Sequence, residues 1–142
     1  MATITANGLY TNYRNKIAGS GNHALADWDT DTIKIHLIDT GAFTLDDTHE
    51  DEADFSAGEV ATSAALGTVT IGSVAAGVVD AANTVFTAVS GVSAEALVYW
   101  MDSGTPATSP LLLAIVTATG LPVTPTGADI TVVHSGSGII QF

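Results

Sequence analysis

The sequence predicts a mainly β protein, an antiparallel β-sandwich or partly open barrel with one short N-terminal helix. Three observations predict it. From residue 59 to the C-terminus, short apolar segments recur at close intervals with Gly, Pro, Asn, Ser or Asp at most of the breaks, the pattern of antiparallel strands joined by turns. Over residues 33–37, Ile33, Ile35 and Leu37 alternate with Lys34 and His36, the period of two that a half-buried strand requires. Residues 111–116, "LLLAIV", have no polar residue on either face, so this arm of a hairpin with "YWM" expects cover on both sides.

In chain order, residues 1–7 are uncharged and rich in Thr and Ala, and read as an extended N-terminal arm suited to strapping across a neighbour. Leu9, Tyr10, Tyr13 and Ile17 then fall at helical spacing, which predicts a helix over 8–18 with Asn7 as N-cap and Gly19 as C′ residue. A β domain over 32–142 follows, and 1–142 reads as a single domain. Its first strand ends at the turn Asp39-Thr40-Gly41. Residues 42–58 form a long, mostly acidic loop with room for a helical turn. Further strands are predicted within 59–63, 68–72, 74–80, 84–89, 94–102, 110–117, 129–134 and 139–142. Tyr99 and Trp100, being adjacent in a strand, must point to opposite faces.

Composition narrows the function. Fifteen acidic residues against three basic ones (Arg14, Lys16 and Lys34) give a formal net charge of −12, so no basic patch is available for nucleic acid or anionic lipid. Cysteine is absent, which removes disulfides, thiolate metal sites and cysteine nucleophiles. Neither a secretory leader nor a membrane-spanning run is visible, so a cytosolic, soluble protein is expected. Only 13% of residues are charged while 46% are hydrophobic, a mix that suits a β-protein hiding surface against partners.

Chemical motifs are weak. Residues 46–54, "DDTHEDEAD", place six carboxylates around His49, but no glycine occurs between Gly41 and Gly58 to turn a Ca²⁺ loop, and a solvated acidic loop is expected. "DWDTD", Asp27 to Asp31, opens like an EF-hand and then departs from it, with Thr32 where glycine and Ile38 where glutamate are needed; a turn with Trp28 tucked beneath it is expected. "GSGNHA", residues 19–24, matches a dinucleotide fingerprint but follows a helix and opens a loop. "HSGSG", residues 134–138, lacks the glycines of a nucleophile elbow. His23, His36, His49 and His134 are not at metal-ligand spacing. No cofactor, metal or catalytic residue is expected. An enzyme would have to cluster His49, Asp51 and Glu52 beside a cleft.

The chain resembles the small virion proteins of tailed bacteriophages of the head-decoration or capsid-cement type. The residues that carry the likeness are "GLYTNYRNKI", "DTDTIKIHLIDT", "VVDAANTVF", "AEALVYWMDSGTPATSPLLLAIV" and "GADITVVHSGSGIIQF", which span nearly the whole chain in order. Met101 stands where lysine is usual, Ala81-Ala82-Asn83 replaces a more acidic stretch, and residues 46–54 are more acidic than the pattern. The resemblance implies a non-enzymatic coat protein on the capsid exterior that bridges subunits of the major capsid protein, often as a homotrimer. Head-fibre, collar or tail components are the related alternative, including a receptor- or carbohydrate-binding appendage with exposed Trp28 and Trp100. Surface chemistry nominates Tyr10, Tyr13 and Arg14 on the helix, with Thr3, Ile4 and Thr5 of the arm, as interface residues. On this reading, neighbours in the lattice supply the cover that the dry run 111–116 requires.

Overall fold

The computed structural model describes residues 2–21 and 23–142; Met1 of the expected arm and Asn22 of the 19–24 loop lie outside the described residues. In chain order the elements are β1 (Gly8–Leu9), α1 (Thr11–Ile17), β2 (Ile33–Ile38), β3 (Glu59–Thr62), β4 (Thr70–Ile71), β5 (Val78–Asp80), β6 (Thr84–Phe86), β7 (Ala96–Met101), β8 (Leu111–Ile115), β9 (Ile130–Val132) and β10 (Ile140–Gln141). The protein is mainly β, its strand pairs are antiparallel, and it has one short α-helix. A five-stranded sheet in the order β1-β8-β7-β2-β3 is joined by a three-stranded sheet, β10-β5-β4, and a two-stranded one, β6-β9. The arrangement is sandwich-like and open, with β1 and β3 as the free edges of the large sheet.

The large sheet is dry on both faces at its centre. Register pairs Ile35 with Tyr99 and Tyr99 with Leu113 on one face, and His36 with Val98 on the other. On the Tyr99 face, Trp28 packs 6.3 Å from the Tyr99 ring, and β9 lies across a cleft from Leu37, Leu97 and Ile115. On the other face, Trp100 stacks on His36 at 4.8 Å, and Phe55 meets His36 edge-on.

That second cover corrects two expectations. Strand β2 is not half-buried, because His36 and Ile38 are as enclosed as Ile35 and Leu37. Nor is the acidic segment simply a solvated loop. It lies against the hairpin, with Leu111 N–H donating to Glu50 O and Glu52 N–H to Ser109 O, while Phe43 and Phe55 stack together on its inner side. The helical turn allowed for here is a 3-10 turn over Glu52–Asp54, closed by reciprocal Asp51 and Asp54 side-chain bonds. Gly58, at φ +80, returns the chain to β3; a Cβ there would sit 2.6 Å from the Phe43 Cβ.

Cover for the dry run comes from the chain itself, which overturns the expectation that neighbouring copies supply it. Leu111, Leu112, Leu113 and Ala114 are at most 3% exposed in the single chain. Only Ile115 and Val116 remain half-buried.

The helix is shorter than predicted. Asn7 does not cap it: its Oδ1 accepts from the Val116 and Thr117 N–H groups and its Nδ2 donates to Thr117 O, which draws Gly8 and Leu9 into the sheet as β1. The N-terminal turn is satisfied from a distance, by Asp47, whose carboxylate accepts from Thr11 N–H at 2.8 Å and from the Thr11 hydroxyl. Gly19, at φ +99, ends the helix as expected.

Truncating Leu112 to Ala should cost about 2–5 kcal/mol through lost burial and a residual cavity. Val92→Ala, at an exposed site, should stay within about 0.5 kcal/mol. Urea unfolding of the two variants checks the contrast.

Candidate functional site

Four of the six predicted interface residues meet around one surface cavity. Thr3, Ile4, Thr5 and Arg14 line a hollow of about 280 Å³ together with Asp47. The arm does not reach away from the molecule. It pairs with its own chain, Ile4 N–H donating to Leu45 O and Asp47 N–H to Ala2 O. Arg14 is exposed and donates to Asp47 Oδ2 at 3.1 Å and to Thr11 Oγ1 at 2.6 Å.

Tyr10 is corrected as a contact residue, being 0% exposed, whereas Tyr13, 3% exposed, lies in the floor of an apolar hollow. Tyr10 is the extended residue just ahead of α1 and Tyr13 lies within the helix, and each serves a different layer. Tyr10 lies near Asp46 and Asp47, and burial is the first cause of its raised pKa, followed by those two charges. Tyr13 accepts from Trp28 Nε1–H at 2.8 Å and meets Phe142 edge-to-face.

Beside Tyr13 the molecule is not sealed. A cavity of about 450 Å³ has Tyr13, Trp28 and Val79 among its lining residues, and its rim carries Ile17, Leu25, Ile71 and Phe142. Each of those four is 43–51% exposed. They come from α1, the 19–27 loop, β4 and the C-terminus, so no local sequence pattern announces the patch. Helix α1 thus separates a polar hollow from an apolar one.

The cleft between β9 and the large sheet is larger, about 590 Å³, and mostly apolar. A hydrogen-bond chain crosses it, with Tyr99 Oη 3.0 Å from His134 Nε2 and His134 Nδ1 2.9 Å from Ala82 O. A carbonyl can only accept, so Nδ1 carries the proton and Nε2 accepts from the tyrosine. The imidazole is consumed by this tie and has no lone pair left for a base.

Other candidates separate. Residues 27–31 form the expected turn, with Asp31 N–H donating to Asp27 O and Trp28 buried beneath. His49 packs between Phe43 and Phe55, Asp51 faces His23 at 3.2 Å, and Glu52 faces His36, so the trio His49, Asp51 and Glu52 takes three different partners. The grouping that sequence reading missed is His36 with Glu52 and Glu59. Three elements deliver it, and spacing along the chain gave no sign of it.

A scan of protein-family models finds none that matches the chain, and a search of curated proteins finds no relative.

Asp46 ties the arm to the loop, accepting from Thr48 N–H and Oγ1–H and from Ala2 N–H. The Thr48 hydroxyl, then the Thr48 N–H, then Ala2 N–H and His49, hold its carboxyl from the ordinary 3.8 down to about 2. A folded-state value below the unfolded one means that this stabilisation is complete above pH 3.8 and lost as pH falls through about 2. Asp46→Asn should therefore flatten the acid-side loss of stability in that window, as read from urea midpoints against pH.

Proposed function

We propose that the protein is a structural component of a tailed-phage virion that binds the exterior of the assembled icosahedral capsid and stabilises it by bridging capsid subunits. The observation that carries this reading is the apolar hollow beside α1, where Ile17, Leu25, Ile71 and Phe142 surround a floor of buried rings. Soluble monomers rarely leave contiguous apolar surface without a use, and concave apolar surface fits a protruding apolar side chain of a partner. The proposed partners are the major capsid protein and further copies of this chain, assembled as a trimer on the shell. A lattice presents the same contact many times, so modest affinity per copy suffices.

Support also comes from the chain-long resemblance to head-decoration proteins and from the net charge of −12, which disfavours contact with packaged DNA. Both tryptophans are buried, Trp28 beneath its turn and Trp100 on His36, so neither offers a platform for stacking sugars.

Recombinant protein mixed with phage heads stripped of it should re-bind at regular lattice positions and restore resistance to heat. Ile71→Asp and Phe142→Asp should each weaken that binding about tenfold or more, the loss of roughly 1.4 kcal/mol of apolar contact. Val92→Asp, exposed elsewhere, should bind normally. Absence of binding at any concentration, label confined to the tail, or indifference to both patch substitutions would contradict the reading.

A further inference from the structure

We propose that His36, Glu52 and Glu59 form a binding site for one first-row divalent metal ion, Zn²⁺ by preference, which clips the acidic segment to the β2–β3 strand pair. His36 Nε2 lies 3.5 Å from Glu52 Oε1 and 3.9 Å from Glu59 Oε1, and the three ligand atoms all fall within 4.8 Å of one another. Tetrahedral Zn²⁺ with bonds of about 2.0–2.2 Å holds its ligand atoms about 3.4 Å apart, so the triangle needs only a small contraction.

The histidine supplies an observation independent of the acidic cluster. Its side chain is 2% exposed, and Nε2 is buried without a hydrogen-bond partner while aimed at the two carboxylates. At 3.5 Å, an Nε2–H bond to Glu52 would be too long. The other ring nitrogen, Nδ1, lies 2.8 Å from Thr62 Oγ1. With the proton on Nδ1 and donated to that hydroxyl, the Nε2 lone pair faces two carboxylates, an arrangement of three acceptors that a cation reconciles.

The surroundings suit a held ligand set. Trp100 stacks on the imidazole and Phe55 meets it edge-on, which fixes the ring plane. Burial, and secondarily Lys34, keeps the imidazole pKa down at about 4, so the ring is neutral at neutral pH as a metal ligand must be. Lys34 is itself matched by Asp102 at 2.6 Å, which limits its repulsion of a cation. Glu52 and Glu59 have raised pKa values, first from burial and then from neighbouring carboxylates, Asp102 and Asp51 for Glu52 and Glu52 for Glu59. Both carboxylates are partly exposed, which leaves an entry path and room for water as a fourth ligand. One buried imidazole with two carboxylates selects Zn²⁺ or a neighbouring transition ion over Ca²⁺ and Mg²⁺, which prefer all-oxygen shells.

Full-length protein stripped with EDTA and titrated with ZnCl₂ by calorimetry should bind one ion per chain and melt at a higher temperature. Co²⁺ in its place should give the visible absorption of a low-coordinate, imidazole-containing site. Glu52→Gln and Glu59→Gln should each weaken Zn²⁺ at least about tenfold, as should Thr62→Val through loss of the orienting hydroxyl. Asp129→Asn, at an acidic position elsewhere, should leave it unchanged. Circular dichroism and the metal-free melting temperature verify that each variant folds. Lack of stoichiometric binding, affinity unchanged from the unsubstituted protein in both Glu52→Gln and Glu59→Gln, or displacement by equimolar Ca²⁺ would overturn the assignment.

Discussion

Two-sided burial of strand β7 is the constraint on which the molecule depends. Tyr99 and Trp100 are consecutive and both enclosed, so the chain must build a layer on each side of one sheet. The Tyr99 layer is conventional, an apolar wall of small sheets and Trp28. The Trp100 layer is not, because the segment available to form it carries six carboxylates in residues 46–54. The chain resolves this by turning Phe43, Leu45 and Phe55 inward and leaving most of the charge at the rim. What cannot be turned out is tied: Asp46 to Thr48, and Asp47 to Thr11 and Arg14.

From that packing follow the two features that matter for function. Enclosing the acidic segment brings Glu52 against His36, which burial keeps neutral. Anchoring its first half to the arm and to α1 fixes the helix across the sheet edge, with Arg14 outward over the polar hollow and Ile17 outward over the apolar one. The apolar hollow is then the place where the enclosure stops. Sealing it would take a further layer over β4 and Phe142, which none of the described residues forms. On the proposed capsid-binding reading, the partner docks there and not at the hairpin whose dryness first suggested one.

Strand positions were legible because they rest on period and punctuation. Each predicted strand segment contains an observed strand, and the alternation of Tyr99 and Trp100 placed their side chains correctly. Periodicity could not reveal what covers a face. His36 alternates with apolar neighbours and reads as solvent-facing, yet the loop that follows its own strand folds back and buries it. Asn7 carries the right chemistry for an N-cap and spends it on residues 116 and 117 instead, since pairing of β1 with β8 satisfies more backbone than a cap would. Tyr10 and Tyr13 were nominated as contacts from residue type alone, yet Tyr10, just ahead of α1, is fully enclosed and Tyr13 is reached only through the apolar hollow. The His36, Glu52 and Glu59 grouping and the apolar rim both combine residues from several elements, so only tertiary structure displays them.

Hydrogen exchange on the free protein and on the same protein bound to capsids tests this account most directly. Backbone amides of β7 and β8 should be strongly protected in the free chain and change little on docking, while new protection gathers at α1, residues 25–28, β4 and the C-terminus. Rapid exchange of β8 in the free chain, followed by protection there on binding, would mean that partners and not the chain's own layers close the sheet, contrary to the account given.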